Sequence, residues 1–269
     1  MSSRYLLIWI FLFGSIFFNG MEAQVYKFDY VKKSDTLNFY YKNYLAAPVT
    51  VFLENIKKER VKVPKAKLVV MPQDSLTNII QIPDVSANKE DDFDISQYVK
   101  INMKYGRELD LDSIRDFPYE LPFPKKKKYK IIQGFNGTFT HNKASSRYAV
   151  DFKIAVGDTI SAARPGIVIN TKDQFKEHGG KSFRNKANQI IIYHDDGTMA
   201  FYVHFDYEGV LVELGDRVEA GQAIGISGWT GYSTTPHLHF VVRNFNTSIP
   251  IRFRKGRKLG RKKGKWARN

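Results

Sequence analysis

The sequence predicts a mainly β protein, with a β-sandwich-like N-terminal accessory domain followed by a Gly-rich domain built as a β-sheet or barrel. Short apolar or alternating runs recur between Pro and Asn/Asp/Ser clusters at about the 8–12-residue spacing of small β domains. Glycine becomes denser after about residue 130. No stretch shows the 3.6-residue period of a long helix.

Residues 1–23 are typical of a secretory signal peptide, in which Arg4 precedes an apolar run and small residues lead to Ala23. The apolar run is about 14 residues, shorter than the roughly 20 that a spanning helix needs. We therefore expect cleavage rather than an uncleaved anchor, with no transmembrane segment in the mature protein. The sequence predicts an exported protein, in the periplasm or the medium, and its lack of cysteine excludes disulfides.

The accessory domain is predicted over residues 24–116. Strand-like runs, separated by prolines and polar clusters, occupy residues 36–41, 49–53, 67–71 and 78–82. This region holds no grouping of residues typical of catalysis. Residues 117–130, with three prolines and the four consecutive lysines 125–128, are predicted to be an extended, solvated linker.

Residues 131–251 form the predicted Gly-rich domain. The turn Asp195-Asp196-Gly197 between two apolar runs predicts a β-hairpin. A weak internal echo is also present: Val156-Gly-Asp precedes one short strand and Leu214-Gly-Asp precedes another. The echo predicts two similar lobes whose loops meet.

Residues 252–269 contain ten of the 42 Lys and Arg and no acid, in a chain of net charge +15. Such a block is usually disordered and self-repelling. It is either a solubilising tail or a means of binding an anionic envelope polymer. Because the chain is predicted to be exported, nucleic acid is not expected as a partner.

The tripeptide His237-Leu238-His239 precedes an apolar run. Alternate residues of a strand share a face, so both imidazoles would enter one site. With six histidines and no cysteine, a metal centre must use imidazole and carboxylate, which suits zinc. Taken alone, the tripeptide also fits a strand with one hydrogen-bonded and one exposed histidine.

Several motifs in the same order resemble the LytM-type (M23) zinc metallopeptidases over about residues 131–245. They are Gly134-Phe-Asn-Gly-Thr-Phe-Thr-His141, Tyr148-Ala-Val-Asp151-Phe, Val156-Gly-Asp-Thr-Ile-Ser-Ala-Ala-Arg-Pro-Gly, Tyr202-Val-His204-Phe and Gly228-Trp-Thr-Gly-Tyr-Ser-Thr-Thr-Pro-His237-Leu-His239-Phe. Several linked motifs in one order are much more specific evidence for metal binding by the histidine pair than the tripeptide alone.

The resemblance implies one Zn²⁺ per chain, held by His141, Asp151 and His239, with the fourth position open to water. It also implies that His237 is the general base and that His204 donates to the oxyanion and the leaving amine. One departure concerns the spacing: His141 and Asp151 are ten residues apart, whereas many family members place them closer together. Asp151 still lies in the expected Tyr-Ala-Val-Asp-Phe strand.

Three functions remain open at this point. The resemblance and the predicted export favour a secreted zinc endopeptidase that cuts stem or cross-bridge peptides of bacterial peptidoglycan. A non-catalytic regulator of the same fold, which binds cell wall or activates another hydrolase, is the alternative. A lipoyl-type carrier, suggested by the echo, is disfavoured because the hairpin tip presents Asp195-Asp196-Gly197 instead of lysine.

Four other side chains receive structural or open interpretations. His194, at a strand end, is predicted to make a structural hydrogen bond beside the site, and His178 to be an exposed loop residue. Tyr232 and Ser233 either donate to a substrate or pack the turn before the histidine pair.

Overall fold

The structure, a computed structural model, describes residues 25–83, 94–254 and 263–269. The predicted signal peptide, residues 1–23, lies outside the described residues. The chain divides into two compact units, the first ending at Arg107 and the second beginning at Glu108. Within the described ranges, no helix has the length and apolarity needed to cross a membrane. The helical segments found there are 3-10 helices at Ile95–Gln97, Leu111–Ser113 and Lys181–Phe183.

The first unit contains two three-stranded antiparallel sheets, ordered β1-β2-β5 and β4-β3-β6. Its strands are β1 Tyr26–Lys33, β2 Thr36–Asn43, β3 Val49–Asn55, β4 Lys67–Val70, β5 Ser75–Ile82 and β6 Val99–Tyr105. Leu37, Phe39 and Tyr41 alternate along β2 and are buried, and Val51 and Leu53 of β3 are buried in the same unit. All four strands predicted here are present.

The second unit contains sixteen strands in the described residues. They are β7 Pro118–Tyr119, β8 Lys128–Gln133, β9 Val150–Lys153, β10 Thr159–Ser161, β11 Gly166–Lys172, β12 His178–Gly179, β13 Gln189–Tyr193, β14 Met199–Val203, β15 Phe205–Val210, β16 Arg217–Val218, β17 Ala223–Ser227, β18 Gly231–Tyr232, β19 Leu238–Asn244, β20 Thr247–Ser248, β21 Arg252–Phe253 and β22 Trp266–Arg268. The mainly β prediction is confirmed.

A nine-stranded sheet forms the frame of the second unit. Its order is β16-β11-β13-β14-β19-β9-β8-β22, with β20 paired to β19. The predicted hairpin is present as β13 and β14, joined through the turn at residues 195–197. Phe152, Tyr202 and Phe240 are fully buried beneath the central strands, where aromatic rings meet edge-on or tilted. This packing fixes the positions of β9, β14 and β19.

The internal echo produces two strand pairs that are exchanged between the lobes. Strand β10 of the first copy pairs with β17 of the second, and β16 of the second pairs with β11 of the first. The glycine of each Gly-Asp turn also donates its N–H to a backbone oxygen of the other copy: Gly157 to Ser227 O and Gly215 to Val168 O, both at 2.8 Å. Both glycines have φ above +90°, a conformation that side chains disfavour.

The boundaries of the second unit differ from the predicted ones. Residues 117–124 of the predicted linker are part of the core, where Tyr119, Leu121 and Phe123 are buried. These apolar side chains are interleaved with the three prolines from which the linker was predicted. The lysines 125–128 are exposed, in keeping with their solvation.

Parts of the predicted basic tail are also packed. Phe253 is buried against Phe152 and Phe240, and Ala267 of β22 is buried where that strand pairs with β8. Residues 255–262 of the tail lie outside the described residues. The high charge density of residues 252–269 predicts disorder, whereas Phe253 and Ala267 are apolar and find partners in the core.

Candidate metal centre

The candidate site lies at one end of the central strands of the nine-stranded sheet. Asp151 of β9 is directly opposite His239 of β19, and His239 is opposite Val203 of β14. Gln133, the last residue of β8, is opposite Asp151 on its other side. Because directly opposed residues share a face, Gln133, Asp151 and His239 project together from the sheet.

His141 joins this group from the long connection between β8 and β9. Its Nε2 lies 3.1 Å from Asp151 Oδ1 and 3.4 Å from His239 Nδ1, and His239 Nδ1 lies 2.8 Å from the same carboxylate oxygen. The three side chains each offer one ligand atom, and these atoms all lie within 4.8 Å of one another. The ten-residue spacing therefore does not keep Asp151 from His141.

These separations match a single tetrahedral cation. Zn–N and Zn–O bonds of about 2.0–2.2 Å place neighbouring tetrahedral ligands about 3.3–3.5 Å apart. The three atom pairs are at 2.8, 3.1 and 3.4 Å, within a few tenths of an ångström of that range. Two imidazole nitrogens and one carboxylate oxygen also form a donor set suited to zinc. The residues present fit one zinc ion.

Hydrogen bonds to the other ring or carboxylate atoms orient the candidate ligands. His141 Nδ1 donates to Gly134 O at 2.9 Å, which leaves the Nε2 lone pair for a cation. Gln133 Nε2 donates to Asp151 Oδ2 at 2.9 Å and to Thr140 Oγ1 at 2.6 Å. Sequence reasoning missed Gln133, and a single glutamine at a strand end carries no pattern that would have revealed it.

His204 occupies the corner where the chain leaves β14 and enters β15 of the small sheet β10-β17-β15. Its φ is +78°, a left-handed conformation uncommon for a residue with a side chain. The corner is held by His204 N–H donating to Asn188 O at 2.8 Å, and by Gly228 N–H donating to His204 O at 2.9 Å. The ring Nδ1 donates to Thr230 O at 2.6 Å.

His237 lies beside His204 and next to the candidate ligands. The two ring centroids are 4.5 Å apart, and His237 Nε2 is 3.9 Å from Asp151 Oδ1. Its Nδ1 donates to Thr235 O at 2.8 Å, so the Nε2 lone pair faces the ligand group. The structure thus brings together all five residues selected from the sequence.

Burial and mutual contacts determine the charge states of this cluster. Burial alone would raise the pKa of Asp151, but the charge of His239 and hydrogen bonds from both imidazoles bring its pKa well below the usual range. Burial lowers the pKa of His239, and Asp151 opposes that change. Burial, with His237 and His239 nearby, lowers the pKa of His204 to about 3. Against the effect of burial, the hydrogen bond to Asp151 and the charge of that carboxylate raise the pKa of His141. The cluster therefore centres on an ionised carboxylate, which is the state of Asp151 that binds a cation.

Asp151 and His239 of the cluster line an open pocket of about 360 Å³. Phe139 and Thr140, from the connection after β8, and Tyr232 and Thr234, from β18 and the turn after it, also line this pocket. Asp151, His204, His237 and His239 all line this pocket, so two of the three predicted ligands and the two further histidines face the same space.

Residues 145–251 match the family described as Peptidase family M23. This range contains Asp151, His204, His237 and His239, in the order that the resemblance requires. The second unit contains an M23 peptidase domain. The family prediction is therefore confirmed.

Relatives of the M23 domain include proteins with different stated activities. Glycyl-glycine endopeptidase ALE-1 of Staphylococcus capitis is 41% identical over 42% of this chain and 28% of its own length. Peptidoglycan DD-endopeptidase ShyA of Vibrio cholerae is 29% identical, over 44% of this chain and 26% of its own. Murein hydrolase activator NlpD of Salmonella dublin is 33% identical, over 46% and 29%. The chain spans between 23% and 35% of the length of the first curated relatives it matches.

Other predicted side chains lie around the M23 site or away from it. His194 makes the structural hydrogen bond expected of it, from Nδ1 to Pro165 O at 2.8 Å, but at the opposite end of the strands from the metal cluster. His178 is exposed and stacks on Trp229, with ring centroids 3.4 Å apart. Ser233 is buried and its Oγ donates to Thr235 O, so it supports the turn, whereas Tyr232 lines the pocket.

Proposed function

We propose that this chain is an exported zinc metalloendopeptidase that hydrolyses peptide bonds in bacterial peptidoglycan. The observation that carries the proposal is the convergence of His141 Nε2, Asp151 Oδ1 and His239 Nδ1 beside an open pocket that Asp151 and His239 line. Three protein ligands leave one tetrahedral position for water, which is the pattern of a catalytic zinc and not of a structural one.

A zinc ion held by His141, Asp151 and His239 would lower the pKa of a water molecule and polarise the scissile carbonyl. His237 is suited to accept that proton. Its Nδ1–H is committed to Thr235 O, and its Nε2 lone pair lies 3.9 Å from Asp151 Oδ1, beside the ligand group. We propose His237 as the general base, a role that contributes roughly 10²–10⁴-fold to the rate.

His204 is proposed to stabilise the developing oxyanion and to return a proton to the leaving amine. Because Nδ1–H donates to Thr230 O, Nε2 of the neutral ring carries no proton and is an acceptor. His204 therefore donates only after it has gained a proton. The proton that His237 accepts from the water would pass to His204 Nε2, since the two ring centroids are 4.5 Å apart, and from there to the leaving amine, so that the proton taken up in one step is released in the other. The left-handed corner and its backbone hydrogen bonds hold the ring in place for this step.

The substrate class is supported by what the relatives are named for. Two of them are endopeptidases of glycyl-glycine or peptidoglycan peptide bonds, and a third is named for activating murein hydrolysis. The predicted signal peptide, residues 1–23, would place the protein in the periplasm or the medium, where this polymer lies. The basic residues after 252 are proposed to hold the protein on an anionic envelope polymer.

The proposal is tested with the full mature chain and purified sacculi. Protein that carries one zinc per chain is expected to release soluble peptide fragments. A chelator should stop the release, and added zinc should restore it. Mass spectrometry of the fragments identifies the bond that is cut. No release by zinc-loaded protein from sacculi of several cross-link types would overturn the catalytic proposal.

The alternative, a non-catalytic regulator, is favoured by the similarity to a protein named as a murein hydrolase activator. The two functions differ in their dependence on the metal ligands. A regulator would stimulate an added murein hydrolase equally well with wild-type protein and with a His239→Ala variant. A peptidase loses its effect on sacculi with that substitution. Asp151, His204, His237 and His239 line one pocket and His141 lies against Asp151 behind them, so all five candidate residues are present, which favours the peptidase.

A further inference from the structure

The rim of the M23 pocket carries positive charge from two separate elements. Arg184 lies at the end of the 3-10 helix Lys181–Phe183, and Lys263 lies just before β22. Both line the pocket and both are exposed. Asp151 is the one acidic residue among the pocket-lining residues, and its carboxylate already contacts two imidazoles and the Gln133 amide.

Neither rim cation forms an ion pair with a carboxylate among the described residues. Arg184 lies instead over the ring of Tyr232, with its guanidinium carbon 5.3 Å from the ring centroid. A guanidinium stacked on an aromatic face keeps the edge of its fork available for an anion. Arg184 is thus a positioned cation with unused donors at the entrance to the site.

The backbone around both cations is fixed by hydrogen bonds. Gly231, next to the Tyr232 that supports Arg184, donates its N–H to Glu177 O at 2.8 Å, and β12 pairs with β18 there. Gly264, which follows Lys263, donates its N–H to Ile131 O at 2.8 Å. The two charges are therefore held on separately anchored segments that line the same pocket.

We infer that the pocket selects a peptide with a carboxylate close to the scissile bond, and that Arg184 and Lys263 bind this carboxylate. The inference rests on the proposed peptidase function and specifies its substrate class. An arginine fork binds a carboxylate through two parallel charge-assisted hydrogen bonds, and a lysine adds a point charge. The carboxylate belongs either to an acidic side chain or to the free C-terminus of a peptide, and the pocket chemistry is the same for both.

The test uses a fluorescent synthetic cell-wall stem peptide in three forms: the free acid, a side-chain carboxamide and a C-terminal amide. Binding to zinc-loaded and metal-free full-length protein is measured by fluorescence anisotropy, and cleavage as kcat/KM. We expect amidation of one carboxylate to weaken binding and cleavage about tenfold, as one charge-assisted contact implies. The form that loses affinity identifies which carboxylate is bound.

Variants connect that preference to the rim. In Arg184→Gln and Lys263→Gln the free-acid preference should shrink severalfold, whereas Lys125→Gln, which removes an exposed cation outside the pocket, should keep it. The preference should also weaken in 1 M salt, where the screening length is about 3 Å. Thermal melting of each variant verifies that it is folded.

The outcomes separate this inference from the proposed function. Equal binding of free-acid and amidated peptides by wild-type protein, or an unchanged preference in both rim variants, overturns carboxylate recognition even if every peptide is cleaved. A free-acid preference in binding that both rim variants lose supports it even if no peptide is cleaved, in which case the proposed hydrolysis falls.

Discussion

The two ends of strands β13, β14 and β19 each bury histidine and carboxylate side chains, with different results. At one end His141 Nε2 and His239 Nδ1 both lie within hydrogen-bond distance of Asp151 Oδ1. At the other end, beyond Tyr193, Arg164 binds Asp195 and Asp196 at 2.6 and 2.8 Å. The pair Gln189–Val203 lies at the metal end and the pair Tyr193–Met199 at the other. The two ends are therefore four residues apart, about 13 Å along the strands.

The difference lies in how the charge is balanced. Arg164 and Asp196 are 2% and 1% exposed, and a guanidinium directly neutralises the carboxylates there. His194 donates from Nδ1 to Pro165 O and lies outside that ion pair. At the metal end no guanidinium or ammonium pairs with Asp151 in the described residues, so its charge is left for imidazoles and a cation. Buried histidine and aspartate therefore mark a metal site only when their lone pairs converge.

The largest expected contrast comes from removing one histidine at each end. His239→Ala should abolish stoichiometric zinc and reduce peptide release by more than the roughly 10–100-fold that loss of an outer hydrogen-bond partner costs. His194→Asn, which retains a donor for Pro165 O, should keep both. Zinc content by elemental analysis and fragment release from sacculi measure the contrast. Full zinc loading of His239→Ala would contradict the proposed ligand set.

His204 should matter for the reaction and not for the metal. The His204→Asn variant removes the imidazole while supplying a residue that tolerates the left-handed φ of +78°. We expect kcat to fall about 10²–10³-fold, as for loss of an oxyanion donor, with zinc content and melting temperature unchanged. Loss of zinc in this variant would instead assign His204 to the metal ligands.

At the opposite end, substitution should affect stability without affecting activity. Asp196→Asn leaves the buried Arg164 without its buried partner, which should lower the free energy of unfolding by about 3 kcal/mol or more. Asp195→Asn is the matched control, since its side chain is 61% exposed and should change stability by less than about 1 kcal/mol. Denaturant unfolding measures both. Equal effects would show that burial does not distinguish the two pairs.

His194 predicts a pH dependence of stability. Burial, together with Arg164, lowers the pKa of His194 to about 4, so the unfolded chain binds its proton near pH 6.5 and the folded chain does not. The stability present above pH 6.5 should be lost as the pH falls toward 4, by an amount on the order of 3 kcal/mol. The same unfolding measurements on His194→Asn should show a smaller loss, and equal pH slopes would refute the assignment.

The smallest effect is expected at Gln133, which orients Asp151. Gln133→Met removes the donor to Asp151 Oδ2 and should weaken zinc affinity by about 10–100-fold. Gln189→Met is a matched control, because its amide donates to Asn170 Oδ1 outside the metal cluster. Competition with a chromophoric chelator measures both affinities. Equal affinities would limit Gln133 to packing.

Sequence patterns predicted much of the fold and the site, for identifiable reasons. Alternation predicted β2, β3 and the β13–β14 hairpin because burying one face of a strand leaves a period of two. The His237-Leu-His239 spacing placed two imidazoles together for the same reason. The family resemblance supplied His141 and Asp151, which no local pattern connects.

Other features could not be predicted because they depend on partners distant in sequence. The prolines and lysines of 117–130 suggested a linker, whereas Tyr119 and Phe123 are buried by residues far along the chain. The burial of Phe253 was not predicted because its neighbours in sequence are charged. Gln133 has a role only because β8 ends beside Asp151.

The sequence by itself determined the strand periods, the two Gly-Asp turns and the residue types able to hold zinc, since these follow from local backbone preferences and side-chain chemistry. Tertiary structure alone decided which histidines share a carboxylate, why His194 does not, and where Arg184 and Lys263 stand. Strand register made those decisions, because a shift of one residue would turn Asp151 or His239 to the opposite face of the sheet.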